Sequence, residues 1–407
     1  MNDVIGIDID NDYAFVSYLK NGMDKPKTIS PIAASEKYAI KVELARDAKK
    51  GEWLVGKKLM EKKDDKDLMY KRDLLYKAYE EEDGDQEKKT YKQLGIFFGY
   101  LMSLAQQSGV NKHEAAVVIT IDSITETRAK ALKRALYEAG VKDSQIYMVD
   151  HKESFYFFLS NQSYERFMHD VVLYKYSNGV MREIYFSRDN SKKPALVSLE
   201  EKRIAQIAPY MDDVTKDVEF EKYLAEAFEG KKISTVYVVG EGFESDWMKN
   251  SLKVLCNRRK VFSGKNLFTM GACCYPFEGQ KGNLLYIGNS MMQCDFTMDI
   301  RVGGADDSIS MINVGDNLYK SFCAFDVIID DQPFITVKTK RIISNEEYEN
   351  VLELNDLVER PSMATRLHIT AEPVDPFHIK VSVSDLGLGE LYLSSGMSWE
   401  FIVGDKK

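Results

Sequence analysis

VIGIDIDNDYAFVSYL, the sequence of Val4–Leu19, gives the clearest indication of architecture in this 407-residue chain. Apolar residues alternate up to Asp8 and resume at Tyr13, which predicts two β-strands joined by a tight acidic turn. A second stretch, VVLYKYSNGVMREIYFS at Val171–Ser187, repeats the order of strand, small-residue turn and strand. Two such hairpins, far apart in the chain, predict two similar halves that face each other across a cleft.

The composition is that of an ordinary globular protein. Hydrophobic residues make up 44% and charged residues 29%, and the length favours two or three domains. The formal net charge of -9 argues against a general nucleic-acid or anionic-membrane surface. The longest apolar run, Leu94–Ala105, is too short to span a bilayer and predicts a buried helix. We therefore expect no nucleic-acid partner and no membrane span.

Cysteine and histidine usage favours a cytoplasmic protein. The five cysteines have irregular spacing and no C-x-x-C pair, which suits a reducing compartment. The adjacent Cys273 and Cys274 are interpreted as buried helix residues, with a redox pair as the alternative. The first predicted strand starts close to Met1 without a basic leader, so we expect no signal peptide. The five histidines form no H-x-x-x-H or H-E-x-x-H pattern, which gives a zinc site little support.

Residues 36–112 are predicted to form a helical insert after the first hairpin. Short strands are expected before and at its start, at Thr28–Ala33 and Tyr38–Leu44, and Gly51–Lys58 is expected to form a turn, a strand and a turn that lead into a helix. The charge-dense segment Lys57–Lys92 mixes both signs, which favours solvated helices over a binding surface. We expect an exposed acidic loop at Glu80–Glu87 and one long buried helix at Tyr91–Ser108.

The segment after this insert predicts an α/β arrangement. Ala116–Ile121 has the composition of a buried strand, and Ser123 with Glu126 forms the S-x-x-E pattern of a capping box. Gln145–Val149 is the next expected strand, followed by a short aromatic helix at Lys152–Leu159. Alternating strands and helices predict a sheet that is at least partly parallel.

A second lobe, residues 171–280, repeats this order of elements. After its hairpin we expect an amphipathic helix, a strand, a glycine turn and two further helices: Asp217–Phe228, Thr235–Val239, Gly240–Gly242, a helix carrying Trp247, Met248, Leu252 and Leu255, and Phe268–Cys274.

The pattern changes at residues 283–407, where short strands with period-two alternation predict an all-β sandwich or barrel. Ile379, Val381 and Val383 alternate with polar residues, and Leu391 and Leu393 continue this alternation. We therefore place a domain boundary between residues 282 and 283.

Five stretches, in this order, resemble motifs of the actin and DnaK-type chaperone ATPase superfamily. VIGIDIDNDYAFV looks like the first phosphate loop, and VVLYKYSNGVMREI is similar to the second. AAVVITIDSITETRAKALKRALYEAGVKDSQIYMVDHKES resembles the connecting segment, TVYVVGEGFESDWM the adenosine motif and LFTMGACC the closing helix. The chain thus resembles a divergent bacterial-type member. This implies a duplicated actin-like (ribonuclease-H-like) two-lobed ATPase fold for residues 1–282, followed by a β-sandwich module similar in position to the chaperone peptide-binding domain.

The resemblance also implies the positions of a nucleotide cleft, and several of them depart from the family pattern. Asp10, Asn11 and Asp12 stand where the superfamily has glycine and threonine, and the added carboxylates would repel phosphate. Lys175 replaces the aspartate that supports magnesium, and His151 replaces the glutamate that orients water. The full set of degenerate cleft positions is Asp8, Asp10, Asn11, Asp12, His151, Lys175, Ser177, Asn178, Gly179, Gly240, Glu241 and Gly242.

These losses remove the positioning and charge stabilisation on which phosphoryl transfer depends. We therefore expect a pseudo-ATPase with no catalytic residue and no cofactor, either chaperone-like or a scaffold, whose β module binds a peptide or protein partner by edge pairing. The alternative is a nucleotide-binding switch or slow ATPase with altered metal use, binding ATP or ADP with magnesium, in which His151 or Asp10 takes over a role. The clustered carboxylates of Asp8, Asp10 and Asp12 would suit a divalent ion, but their D-x-D-x-D spacing lacks the glycine and the distal glutamate of a calcium loop. A filament-forming, actin-like protein is a third possibility.

Two local hypotheses stay open at this stage. Lys175 is expected either to reach across to Asp8 and replace the missing cation, or to point into solvent at the cleft mouth. Gly240 and Gly242 either allow a nucleoside to approach closely or serve a turn that needs glycine whatever binds there.

Overall fold

The computed structural model describes residues 3–32, 37–80, 90–277, 280, 283–330 and 332–404. The chain divides into two compact units, Met1–Tyr286 (unit 1) and Ile287–Lys407 (unit 2). Unit 1 is a mixed α/β structure, and the described part of unit 2 consists of antiparallel sheets. None of the helices within the described ranges is long and apolar enough to cross a membrane.

The helices of unit 1 are α1 Lys57–Met60, α2 Leu74–Glu80, α3 Thr90–Gln107, α4 Glu126–Glu138, α5 His151–Ser160, α6 Asp213–Ala227, α7 Asn250–Cys256 and α8 Leu267–Cys273. Its strands are β1 Val4–Ile9, β2 Tyr13–Leu19, β3 Lys27–Thr28, β4 Ile40–Lys41, β5 Leu44–Asp47, β6 Trp53–Val55, β7 Leu68–Lys71, β8 Ala116–Ile121, β9 Ile146–Asp150, β10 Asp170–Ser177, β11 Val180–Asp189, β12 Ala195–Arg203, β13 Ile233–Val239, β14 Lys260–Ser263 and β15 Leu284–Tyr286.

The first sheet of unit 1 has the order β3-β2-β1-β8-β9, with β4 also paired to β2. β1 forms the predicted hairpin with β2 and pairs in parallel with β8, which in turn is parallel to β9. The prediction of a partly parallel sheet is therefore confirmed. All six residues of β1 are buried, as expected for a central strand that is covered on both faces.

The second sheet has the order β14-β13-β10-β11-β12-β15. Here too the central strand, β10, pairs antiparallel with the second strand of its hairpin and parallel with a later strand, β13, which is parallel to β14. An aromatic core lies against this sheet, in which the ring centroids of Tyr174 and Phe220 are 5.2 Å apart. Strand β15 adds to the opposite edge, parallel to β12.

Helix α8 follows the second sheet in the chain but packs on the first. The hydroxyl of Thr269 donates to the carbonyl of Gly6 in β1 at 2.8 Å. A Cβ atom on Gly6 would lie only 2.4 Å from the carbonyl oxygen of Thr269, so the helix and strand approach this closely only because residue 6 is glycine. The expectation that this segment belongs to the second lobe is corrected accordingly.

Two predictions about helix ends were wrong. Helix α4 begins at Glu126 with Thr125 as its N-cap, whose hydroxyl accepts from the N–H of Arg128 at 3.3 Å, so the Ser123–Glu126 capping box does not form. The hydroxyl of Ser123 instead accepts from the Arg128 guanidinium. Trp247 lies before α7 rather than within it, because its indole N–H donates to the carbonyl of Gly242 at 2.8 Å.

The insert contains more strand than the predicted helical insert allowed, although the strand and helix expected around Gly51–Lys58 are confirmed as β6 and α1. Strands β5, β6 and β7 form a three-stranded antiparallel sheet over a small core of Ala45, Leu54 and Leu59. Within the charge-dense segment, β7 has alternating exposure, so its sequence was assigned the wrong period. The predicted strands before and at the start of the insert shrink to the two-residue strands β3 and β4, and the long helix α3 is confirmed. Most of the predicted acidic loop, residues 81–89, lies outside the described residues.

The strands of unit 2 are β16 Cys294–Val302, β17 Ala305–Ile312, β18 Cys323–Ile329, β19 Phe334–Arg341, β20 Glu347–Glu353, β21 Thr365–Asp375, β22 His378–Gly387 and β23 Ser398–Gly404. They form two four-stranded sheets, β17-β16-β19-β20 and β18-β21-β22-β23, which share one apolar core as in a β-sandwich. The alternation at Ile379, Val381 and Val383 is confirmed, since all three are buried. Leu391 and Leu393 do not continue it, because they lie in an exposed segment between β22 and β23.

Candidate functional site

A cavity of about 320 Å³ opens in unit 1 where the carboxyl ends of its parallel strands meet. Asp8 lies near the end of β1, Lys175 near the end of β10, and Gly240 directly after β13. Carboxyl ends of parallel strands are the usual position of ligand sites in such sheets. Predicted cleft residues that line the cavity are Asp8, Asp10, His151, Lys175, Ser177, Gly240 and Glu241; it is also lined by Tyr13, Phe15, Lys37, Tyr38, Ala39, Val239, Glu244, Lys265 and Phe268.

Asp8, the one acidic position that matches the superfamily, is bound by a neighbouring side chain of the protein. Nε2 of His151, the first residue of α5, lies 2.8 Å from Oδ1 of Asp8, and both residues are buried. The imidazole ring also stacks on Phe268 of α8, with ring centroids 4.1 Å apart. The carboxylate of Asp8 is therefore engaged by His151 rather than free to order the water around a metal ion.

Lys175 does not contact Asp8 directly, so the predicted Lys175–Asp8 pair is corrected. Its Nζ lies 2.9 Å from Nδ1 of His151 and 2.9 Å from Oδ1 of Asp122, the residue that follows β8. Because an ammonium group only donates, Nδ1 of His151 is assigned as the acceptor, and Nε2–H then donates to Asp8. Lys175 is therefore linked to Asp8 indirectly, through the imidazole ring of His151. The alternative that Lys175 points into solvent is also wrong.

Asp122 forms ion pairs with two basic side chains of the second lobe. Besides Lys175, Nη1 of Arg182 on β11 donates to its Oδ2 at 3.0 Å, and Arg182 also lies 3.5 Å from Glu201. Its neighbours His151 and the positively charged Lys175 hold the pKa of Asp122 well below its usual range. Asp122 and His151 belong to the first lobe, while Lys175 and Arg182 belong to the second. These contacts therefore join the two lobes across the cleft.

The turn between β1 and β2 uses its own backbone donors internally. Oδ1 of Asp10 accepts from the N–H groups of Asp12 and Tyr13 at 2.8 and 2.7 Å. Oδ1 of Asn11 accepts from the N–H of Tyr76 at 2.8 Å, which satisfies an otherwise unpaired donor in the first turn of α2. The N–H groups of Asp10, Asp12 and Tyr13 are therefore satisfied within the turn, and Asp12 is exposed outside the cavity lining.

The turn between β10 and β11 is occupied in a similar way. Asn178 and Gly179 have φ values of 52° and 70°, the conformation of a tight hairpin turn. The N–H of Asn178 donates to Oε1 of Glu241 at 2.5 Å. The carboxylate of Glu241, which follows β13, thus satisfies this backbone donor of the turn.

Packing alone accounts for glycine at positions 240 and 242. Gly240 has φ of 105°, and a Cβ there would lie 2.3 Å from the carbonyl oxygen of Tyr176. A Cβ on Gly242 would lie 2.2 Å from the ring of Tyr176. The sequence left two explanations open for these glycines, a ligand that approaches closely or a turn that needs glycine. The close packing of the turn against β10 supports the second explanation, which requires no ligand.

Neither a metal site nor a reactive thiol pair is evident. Within the described ranges, no group of three or more His, Cys, Asp and Glu side chains is arranged to hold a metal ion, and Asp8, Asp10 and Asp12 do not converge on one point. All five cysteines are free thiols. Burial raises the pKa of Cys273 strongly and that of Cys274 to about 12, so both thiols stay protonated and unreactive.

Sequence reasoning missed Asp122, Arg182 and Phe268. Asp122 follows β8, and the parallel pairing of β8 with β1 brings it near Asp8. The sequence predicted a partly parallel sheet but not this pairing of strands, so Asp122 was not found. Arg182 lies directly opposite Lys175 in the register of β10 and β11. No local pattern pointed to Phe268, because its contact with His151 depends on α8 returning to the first lobe.

Two family models match the chain and together span most of it. Residues 25–289 match a model described as the C-terminal part of a family of unknown function, DUF5716, and residues 291–404 match a domain of unknown function, DUF8552. The first match covers more than half of the chain, so the protein belongs to the DUF5716 family. The two matches meet next to the boundary between unit 1 and unit 2. No curated protein matches the chain.

Proposed function

We propose that this protein is a non-catalytic, chaperone-like or scaffold member of the actin and DnaK-type superfamily, acting in the cytoplasm. The hydrogen-bonding groups of its nucleotide cleft are engaged by its own side chains, and its β unit binds a protein or peptide partner. The observation that carries the proposal is that carboxylates of Asp10 and Glu241 accept the N–H groups of both hairpin turns, where bound phosphate would lie.

The repeated strand order of unit 1 supports the superfamily assignment. Around β1 and around β10, the hairpin partner lies on one side and two successive parallel strands lie on the other. The actin-like (ribonuclease-H-like) fold is expected to contain this arrangement twice. The position of the cavity at the carboxyl ends of β1 and β10 agrees with the same assignment.

Charge explains why nucleotide binding would be unfavourable. A triphosphate would approach Asp10 and Glu241 and would have to displace them from N–H groups that they already satisfy. Leaving a polar group without a partner costs about 1–3 kcal/mol, and repulsion between the like charges adds to this cost. The cation that would offset phosphate charge, Lys175, is already committed to Asp122 and His151.

Ion pairs between the lobes give unit 1 a fixed form without a ligand. Lys175 and Arg182 of the second sheet both pair with Asp122, which follows β8 of the first sheet. A body that is held closed by its own side chains suits a scaffold better than an opening and closing motor.

For unit 2 we propose that a peptide or protein strand of a partner pairs with an edge strand of one of its sheets. The terminal strands of its two sheets are β17, β20, β18 and β23. β20 exposes Glu347, Glu349 and Glu353, which discourage pairing. β18, with the sequence CAFDVII, and β23, with the sequence SWEFIVG, each have one charged residue, Asp326 and Glu400, and are the edges that best suit an added strand.

Titration calorimetry with Mg-ATP and Mg-ADP tests the proposal for the cleft. The full-length chain is expected to give no saturable heat up to about 1 mM ligand, which corresponds to a binding free energy weaker than about -4 kcal/mol. The double variant Asp10→Gly/Glu241→Gly frees both turns and serves as the gain-of-binding comparison. Tight, saturable binding by the wild type would refute the proposal.

The second candidate function is a nucleotide-binding switch or slow ATPase, and the open cavity of about 320 Å³ favours it. Lys265, which pairs with Glu244 at 2.6 Å, lines that cavity and is a possible phosphate ligand. Release of phosphate from ATP by the wild type, abolished in His151→Ala, would support this candidate. Equal, background release by both proteins would exclude it.

A further inference from the structure

Unit 2 exposes apolar side chains on two loops at which its strands end. Leu391 and Leu393, between β22 and β23, are 83% and 77% exposed. Val358 and Met363, between β20 and β21, are 46% and 57% exposed. Single exposed apolar residues are common, but four on two loops that are joined to each other favour a surface that becomes buried against a partner. We call residues 355–363 and 388–397 the docking loops.

A buried ion pair joins the docking loops. The guanidinium of Arg360 donates to both carboxylate oxygens of Asp385, at 2.8 and 2.7 Å, and to the carbonyl of Leu393 at 2.9 Å. The side chains of Arg360 and Asp385 are only 4% and 0% exposed. Asp385 also accepts from the N–H groups of Gly387 and Ser395 at 2.9 and 2.8 Å.

This clamp fixes the backbone that carries the exposed leucines. A bidentate pair constrains orientation as well as distance, so it pre-orders the loops before any partner arrives. Met363 is also held at φ of 61°, a backbone conformation that non-glycine residues rarely adopt and that recurs at functional loops. The apolar side chains are therefore presented on ordered segments.

The charge around these side chains has one sign. In both docking loops, all of whose residues are described, the exposed charged residues are Asp356, Glu359 and Glu390, and the one cation, Arg360, is buried against Asp385. Unit 2 as a whole contains 20 Asp and Glu but 10 Lys and Arg, whereas Met1–Tyr286 contains 44 and 45. The negative charge of the chain is thus concentrated in the unit that carries the loops.

We propose that the docking loops insert into an apolar groove, bordered by Lys or Arg residues, on a folded partner protein. Because Leu391 and Leu393 protrude, the partner supplies the concave side, and charge complementarity selects a basic rim. This inference rests on the proposed function only in assigning partner binding to unit 2. It does not depend on the state of the cleft in unit 1.

Site-specific photo-crosslinking in the cells that produce the protein identifies and tests the partner. The full-length chain carries the photoreactive residue at position 391, and the matched control carries it at Val374, which is 55% exposed on β21 of the same unit. The protein that is crosslinked from position 391 is purified, and its affinity is measured for the wild type, Leu391→Asp, Glu390→Lys and Val374→Asp. Measurements at about 50 and 300 mM salt report the charge contribution.

The expected result is one discrete protein crosslinked from position 391 but not from 374. Its affinity should fall about tenfold or more in Leu391→Asp, fall several-fold in Glu390→Lys and at high salt, and stay unchanged in Val374→Asp. Three outcomes would each overturn the proposal. They are the absence of a product specific to position 391, a product formed with a second copy of the chain, and a complex whose affinity is insensitive to Glu390→Lys and to salt. ATP hydrolysis by the full chain would overturn the proposed function and leave this result intact, so the two failures are distinguishable.

Discussion

Nζ of Lys175 lies 2.9 Å from Oδ1 of Asp122, and this bond joins β10 of the second lobe to the segment after β8 of the first. His151 extends the link to Asp8, and Arg182 adds a second cation on the same carboxylate. Asp8 and Asp122 are thus both engaged by side chains of the protein itself.

Replacement of Lys175 by methionine should weaken unit 1. The variant keeps the aliphatic stem but leaves His151 and Asp122 without their shared donor, and we expect unfolding to become easier by about 1–3 kcal/mol. Partial exposure of Asp122, 48% for its side chain, keeps the loss from being larger.

Urea unfolding followed by circular dichroism measures this loss. The control is Lys265→Met, which breaks the exposed pair with Glu244 in the same cavity and should leave stability nearly unchanged. Equal midpoints for wild type and Lys175→Met would show that the link between the lobes does not contribute.

Unit 2 should lose stability in acid through Asp385. Hydrogen bonding from Arg360 lowers the pKa of this buried carboxyl. A carboxyl whose folded pKa is depressed contributes stability above its unfolded pKa, about 3.9, and loses it as pH falls from there toward the folded value. We therefore expect the melting temperature of unit 2 to fall steeply below about pH 4.

The matched variant is Asp385→Asn, which should flatten that acid dependence. It should also cost about 3–5 kcal/mol at neutral pH, because Arg360 is left buried without its counter-charge. Calorimetric scans between pH 7 and pH 2 measure both effects. An acid slope that is the same in variant and wild type would assign the acid sensitivity to other carboxyl groups.

Substitution of Gly240 by alanine tests whether packing explains this glycine. With φ of 105° and a Cβ only 2.3 Å from the Tyr176 carbonyl oxygen, the variant should be destabilised by at least about 1–3 kcal/mol in the absence of any ligand.

Gly99→Ala in helix α3 is the control, since a Cβ there meets nothing within 4 Å. It should stabilise the chain by about 0.5–1 kcal/mol through the better helix propensity of alanine. If Gly240→Ala is as stable as the wild type, glycine at this position serves something other than the fold.

Strands with a clear alternation of apolar residues were predictable from the sequence. Contacts between segments that are far apart in the sequence were not. The hairpins at β1 and β10 and the strands of unit 2 follow alternating apolar residues, which need only local information. The sheet of the insert was missed because β7 is short and charged, so that its period is masked by Lys and Asp residues. The capping assignment at Ser123 failed because Thr125, closer to the helix, competes for the same role.

In the cleft, the loss of phosphate-loop residues was visible in the sequence, but the replacement network was not. The presence of Lys175 in the cleft indicated that it pairs with an acidic residue, but the sequence did not identify that residue. The predicted direct pair with Asp8 was wrong. Lys175 pairs with Asp122 instead, because Asp122 follows β8, the parallel neighbour of β1, and because His151 occupies the space between Lys175 and Asp8. That Glu241 reaches the N–H of Asn178 depends on the packing of two strands, which no spacing in the sequence specifies.

Thermal unfolding of the full-length chain with and without millimolar Mg-ATP tests the account most directly. A ligand at about 100 times its dissociation constant stabilises a protein by roughly 2.7 kcal/mol, which shifts the melting temperature of a unit this large by several degrees. Because Asp10 and Glu241 already accept the N–H groups of the two turns and Lys175 is paired with Asp122, the account predicts no shift in the wild type. A shift of several degrees that depends on magnesium would contradict it, because the turns would then still bind nucleotide.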